Sequence, residues 1–193
     1  MIIQATPYGT KKEEPFAFTY SGDFTDSRVD GKGDVTLNTS GTLTVLSGKA
    51  TVSVYILGAG GGGVYSATAI AGSASGGSGG FQTITVTLKP GTYEIVIGAG
   101  GVGEYISSGA SVTTATAGSG GDTTAFGCTS TGGGGAVGGR SSSFAHVGSG
   151  GSPNGNDGKS GRTTGGSPNG GKSSSQTAVN NSGGDGRVEL TFS

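Results

Sequence analysis

Apolar and polar residues alternate through 51–57 (TVSVYIL), which places Val52, Val54 and Ile56 on one face of a strand that runs directly into glycines. The same period of two recurs at 16–20 (FAFTY), with Phe16, Phe18 and Tyr20 aligned, and more briefly at 35–37 and 43–46. Within 81–88 (FQTITVTL), Ile84, Val86 and Leu88 share a face opposite a row of threonines; within 93–97, Tyr93, Ile95 and Ile97 do so. A last strand is predicted at 187–192 (RVELTF), with Val188, Leu190 and Phe192 together. Ser40-Gly41 and Ser47-Gly48 supply turns, and Lys89-Pro90-Gly91-Thr92 predicts a tight turn closing a β-hairpin over 81–97. No window between Gly58 and Gly186 has the length and apolar period of a helix. The expected fold is all-β, a small antiparallel sandwich or jelly-roll-like base without α-helix.

Composition changes that picture in one region. Of 45 glycines among 193 residues, six precede Gly58, 39 lie from Gly58 to Gly186 and none follows. The chain therefore divides into an N-terminal arm (1–15), a strand region of the base (16–57), a glycine-rich region (58–186) and a closing strand (187–193). Glycine loses more conformational entropy on folding than any other residue, so ordering so many demands a regular return, and backbone hydrogen bonding is the plentiful source. Packed polyglycine II helices, with three residues per turn, and irregular packed loops both meet that demand. Two strands end in near-identical runs, LGAGGGG from Leu57 and IGAGGVG from Ile97, so the glycine segments leave the sheet from strand ends. GGSPNG occurs at 150–155 and again at 165–170, as turns at matched positions would.

Charge and motifs exclude more than they assign. Net charge is −1 and the basic residues are scattered, so no footprint for nucleic acid or an anionic membrane is present. No apolar leader follows Met1, and no run approaches the roughly 18 apolar residues of a membrane span. The single Cys128 excludes an intrachain disulfide framework and reads as a small packed residue. Asp23, Asp26, Asp30 and Asp34 surround Arg28 and Lys32 without the spacing of an EF-hand, and read as a hairpin loop rather than a metal site. Gly58-x-Gly60-x-x-Gly63 and Gly98-x-Gly100-x-x-Gly103 follow strands, as a dinucleotide fingerprint does, but no helix follows to hold a pyrophosphate, and Asp122 alone does not supply the missing context. Gly166 to Ser173 spells the P-loop pattern, again without a buried strand before it or a helix after it. His146, the only histidine, lies near Ser141 and Ser143 with no orienting acid in view. The expectation is no enzyme, no cofactor and no metal. The loop residues left as candidates for surface contact are Asn154, Asn156, Asp157, Asn169, Asn180 and Asn181.

Taken in order, FTYSGDF, LNTSGTLTV, VSVYILGAGGGG, VTLKPGTYEIVIGAGGVG, GGDTTAFG, GGGGAVGG and GDGRVELTF resemble the glycine-rich domain proteins of tailed bacteriophages and prophages. More distantly, the chain is similar to phage adhesins built on polyglycine helices. The resemblance implies a virion structural protein of the tail, fibre, tip or capsid surface, with strands at the base and glycine-rich loops or helices above. Partners are expected among other virion proteins, reached through the arm or base; the alternative is a receptor- or carbohydrate-binding adhesin module whose partner is a host-surface glycan. A small apolar core adds the expectation of a homo-oligomer.

Overall fold

In the computed structural model, residues 14–109, 111, 113–163, 165–173 and 179–193 are described. Most of the expected arm lies outside them. The first sheet orders β1 (Ala17–Tyr20), β4 (Gly41–Ser47), β8 (Gly91–Val96), β11 (Thr123–Ala125) and β12 (Cys128–Ser130). The second orders β2 (Phe24–Asp26), β3 (Gly33–Leu37), β14 (Arg187–Phe192), β5 (Ala50–Leu57) and β7 (Phe81–Leu88). Every pairing in both is antiparallel. The expected all-β sandwich is present, and among the described residues the only helical elements are single 3₁₀ turns.

The alternation that predicts the strands also fills the core. Val52, Val54 and Ile56 of β5, Val188 and Leu190 of β14, Val35 and Leu37 of β3, Leu43 and Val45 of β4, and Ile95 of β8 are buried together. Each such side chain contributes about 1.5–3 kcal/mol on burial. At the end of the sandwich remote from the glycines, Phe16 and Phe18 pack on Phe192, and the Arg28 guanidinium lies over the rings of Phe18 and Phe192 at 4.9 and 4.8 Å.

One expectation fails. The strands flanking Lys89-Pro90 do not form a hairpin: β7 pairs with β5 in the second sheet, while β8 pairs with β4 and β11 in the first. The turn carries the chain across the sandwich, held by the Tyr93 hydroxyl, which donates to the Lys89 carbonyl and accepts from its N–H. A strand whose apolar face turns inward reads the same in either sheet, so the period of two does not distinguish a hairpin from a crossing between layers.

Beyond Leu57 the hydrogen bonds change from two-fold to three-fold. The N–H groups of Gly58, Gly61 and Val64 donate to Gly80, Gly77 and Ala74; those of Ala59 and Gly62 to Gly121 and Gly118; those of Gly60 and Gly63 to Gly184 and Asn181. In the other direction, Gly101 and Glu104 donate to the carbonyls of Gly60 and Gly63, Gly133 and Ala136 to those of Ala59 and Gly62, and Gly171 to that of Gly61. Each neighbour is met every third residue, the repeat of a polyglycine II helix. Residues 58–63 thus form the central helix of a bundle: antiparallel neighbours take its N–H groups, and parallel neighbours donate to its carbonyls. For this part of the region the regular helix, rather than an irregular loop, is the arrangement found.

Candidate functional site

The bundle has two ends, and the sequence-predicted contact residues divide between them. Both GGSPNG turns face the sandwich, closed by Gly155 N–H to Gly151 and Gly170 N–H to Gly166. Asn154 donates from Nδ2 to the carbonyl of Phe81, the first residue of β7, and Asn169 donates to that of Gly58, just past β5. Asn156 donates to the Ser167 carbonyl, and Asp157 accepts from the Gly150 N–H. These four side chains fasten the bundle to the base and its turns to one another. Asn180 and Asn181 lie at the opposite end, where Asn180 is exposed and Asn181 is buried with its Nδ2 donating to the Glu104 carbonyl. The six candidates do not converge on one surface.

The glycine motifs are equally occupied. Gly58, Gly60 and Gly63 spend their N–H groups on neighbouring carbonyls. Gly98, Gly100 and Gly103 donate to Thr123 Oγ1, Asp185 Oδ1 and Ser182 Oγ. No donor row remains for a phosphate in either run. In the P-loop-like run, Ser173 is buried, its hydroxyl donating to the Gly161 carbonyl and accepting from the Thr163 N–H. Asp122 accepts from the Gly132 N–H. His146 is exposed and holds Val137 by two backbone bonds, while Ser141 and Ser143 hydroxyls bond each other at 2.7 Å. Among the described residues, no group of three or more His, Cys, Asp or Glu side chains is placed to hold a metal ion. Cys128 is half-buried against the sandwich core.

The aspartate-rich segment is the hairpin between β2 and β3, with Asp30 and Gly31 in the left-handed region at its tip. Arg28 donates to both Asp26 carboxylate oxygens, and these hydrogen bonds hold the Asp26 carboxyl below its ordinary range. A carboxyl depressed in the folded state adds stability above its unfolded pKa of about 3.9, and that stability is lost as pH falls through the lower folded value. Because the pair is exposed, the expected contribution is only about 0.5 kcal/mol. Asp26→Asn should therefore lower the melting temperature slightly at neutral pH and remove that difference near pH 2, as thermal scans across the acid range would record.

At the distal end the loops gather into a crown. It comprises β6 (Val64–Ser66), β9 (Glu104–Ile106), β10 (Thr114–Thr116) and β13 (Val137–Gly139), with short 3₁₀ turns at Ile70–Gly72 and Ser142–Phe144. A second apolar cluster of Val64, Ala74, Ile106, Ala117 and Ala136 seals the bundle beneath it. β6 and β9 pair in parallel, stacking Tyr65 on Tyr105 with ring centroids 5.7 Å apart. The Arg162 guanidinium lies 4.4 Å from the Tyr65 ring centroid and donates to the Ser66 carbonyl. Outward from this frame project Ile70 and Phe144, 62% and 43% exposed, with Arg140 and His146 also exposed. Sequence reading missed the tyrosine pair, although its signal is present: GAGGGGVY and GAGGVGEY end in tyrosines at the same position of each run, and the runs lie side by side.

The crown presents apolar and polar side chains on a stiff support. No curated protein matches the chain. A profile described as a glycine-rich domain matches residues 36–192, a span reaching from β3 through the bundle to the end of β14. The chain belongs to the glycine-rich domain family.

Proposed function

We propose that this glycine-rich domain is a non-enzymatic structural component of a bacteriophage particle, held by its sandwich and projecting the bundle and crown outward. The observation that carries this reading is polarity. Phe16 packs on Phe192 at the end of the sandwich opposite the glycines, so both ends of the described chain leave from one side and the crown lies on the other. Attachment at that side displays the crown, and the cross-bonded bundle keeps it at a fixed distance. An epitope inserted at exposed Gly109 leaves the attachment side free. Electron microscopy of labelled phage particles is expected to place it on the tail, fibre, tip or capsid surface, and particles without the protein would overturn the reading.

A receptor- or carbohydrate-binding adhesin is the second reading, favoured by the exposed Ile70 and Phe144 on the crown. It places the contact surface there, with Asn180, rather than at the asparagines of the sandwich-facing turns. The double variant Ile70→Ser, Phe144→Ala should leave the melting temperature within about 2 °C, because both side chains are exposed. For an adhesin, adsorption of particles to host cells should fall at least tenfold. For a capsid or tube decoration it should not change.

A further inference from the structure

The four outer strands of the two sheets are β1, β12, β2 and β7, and β7 differs from the rest. It has eight residues where the others have three or four. Its pairing with β5 is regular from Leu57↔Phe81 to Ala50↔Leu88, and it contains no charged residue, no proline and no bulge. Those are the features that normally keep an edge strand from pairing with another chain.

The direction of its free groups follows from two observations. Gly58 donates to Gly80 across the same register, so the even-numbered residues of β7 face β5. Phe81 accordingly turns outward, where its N–H donates to Pro153 and its carbonyl accepts from Asn154 Nδ2. Thr83, Thr85 and Thr87 therefore direct their N–H and C=O groups to the open side, and none of these groups has a partner among the described residues. The 153–154 turn blocks this edge at Phe81, and Lys89-Pro90 ends it beyond Leu88. The open window is centred on Thr85.

The geometry points to a second copy of this chain as the occupant, its β7 pairing antiparallel with this one about a two-fold axis at Thr85. The window reads TITVT, symmetric about its centre in polarity and in side-chain branching. In that register Thr85 meets its own copy and Thr83 meets Thr87, each as a pair exchanging two hydrogen bonds, while Ile84 meets Val86 on the inner face. Facing threonine hydroxyls already bond across strands on this face, Thr51 Oγ1 lying 3.0 Å from Thr87 Oγ1. No charge in the window opposes itself across the axis. Beside Val86, a groove of about 410 Å³ lined by Tyr93, Glu94, Phe126 and Gly127 opens along the same edge, and the two-fold brings two such grooves together. The interface is isologous, so it closes at a dimer with a continuous ten-stranded sheet, five strands from each copy.

Sedimentation velocity of the full chain from about 1 to about 500 µM should show a dimer that grows with concentration, and slowed amide exchange at Thr83, Thr85 and Thr87 should accompany it. Thr85→Lys and Thr85→Glu each place like charges against each other at the axis, and each should weaken dimerisation at least tenfold while melting within about 2 °C of the wild type at concentrations where all three are monomeric. An equimolar mixture of the two should recover a heterodimer. A wild type that stays monomeric throughout overturns the proposal. So does a dimer that both variants leave intact, or a mixture that fails to associate when each variant alone is folded and monomeric.

Discussion

Gly60→Ala is expected to cost about 3–5 kcal/mol, a large part of the roughly 5–15 kcal/mol that holds a domain of this size together. A Cβ at Gly60 would lie 1.8 Å from the Asn169 carbonyl oxygen and 2.5 Å from its carbon. Both atoms are backbone, so no rotamer relieves the contact. The neighbouring helix cannot retreat alone, because Gly171 donates to Gly61 at 2.7 Å and the Asn169 carbonyl accepts from Gly184 at 2.8 Å. Moving it also strains the bonds of Gly60 itself, to Gly184 at 2.9 Å and from Gly101 at 2.8 Å. Gly109→Ala is the matched control: nothing lies within 4 Å of its Cβ position, and the residue is exposed. There the smaller entropy of the unfolded alanine chain should leave stability unchanged or raise it by up to about 1 kcal/mol. Urea denaturation of the two variants should thus give shifts of opposite sign or very different size. Similar values would mean that close packing of bare backbone is not what orders the bundle.

This packing also explains which parts of the fold were legible in the sequence. The strands were, because their side chains alternate: β7 and β14 have the predicted bounds, and β5 begins one residue earlier than expected. Their partners were not, since β7 and β8 carry equivalent patterns and lie in different sheets. The glycine segments offered even less. A residue without a side chain records nothing about its neighbour, and the choice between regular helices and loops rests on backbone bonds reaching from Gly60 to Gly184 or from Gly61 to Gly77. The dinucleotide and P-loop patterns arose from this economy of side chains, because Gly58, Gly60 and Gly63 are where they are to admit neighbouring carbonyls. The crown was legible only through its tyrosines. Its tip, with Ile70 and Phe144 far apart in the chain, is assembled by the bundle and left no local pattern.

The repeated GGSPNG turns lead to the second large effect, because identical sequence gives the two asparagines unequal work. Asn154 makes one exposed hydrogen bond, to Phe81, and sits in the left-handed region that alanine adopts less readily, so Asn154→Ala should cost about 1–2 kcal/mol. Asn169 accepts from the Gly79 N–H at 2.9 Å and donates to the carbonyls of Gly58 at 2.9 Å, Gly184 at 3.2 Å and Asp185 at 3.3 Å. It ties together the segment leaving β5, the segment entering β7 and the segment entering β14. Gly58 and Gly79 are buried, so Asn169→Ala strands a donor and an acceptor without water, at about 2–4 kcal/mol. Asn169→Asp separates the two roles of the side chain. Its carboxylate can still accept from Gly79, but at neutral pH the second oxygen faces the Gly58 carbonyl, and stability should fall below that of the alanine variant. Protonation restores a donor, so the folded-state pKa of this aspartate is raised above the unfolded value of about 3.9. With that sign, its stability is greatest below the unfolded pKa and is lost as pH rises through the folded one. The curves for Asn169→Asp and Asn169→Ala should therefore cross as pH is lowered, whereas equal losses at positions 154 and 169 would place the junction elsewhere.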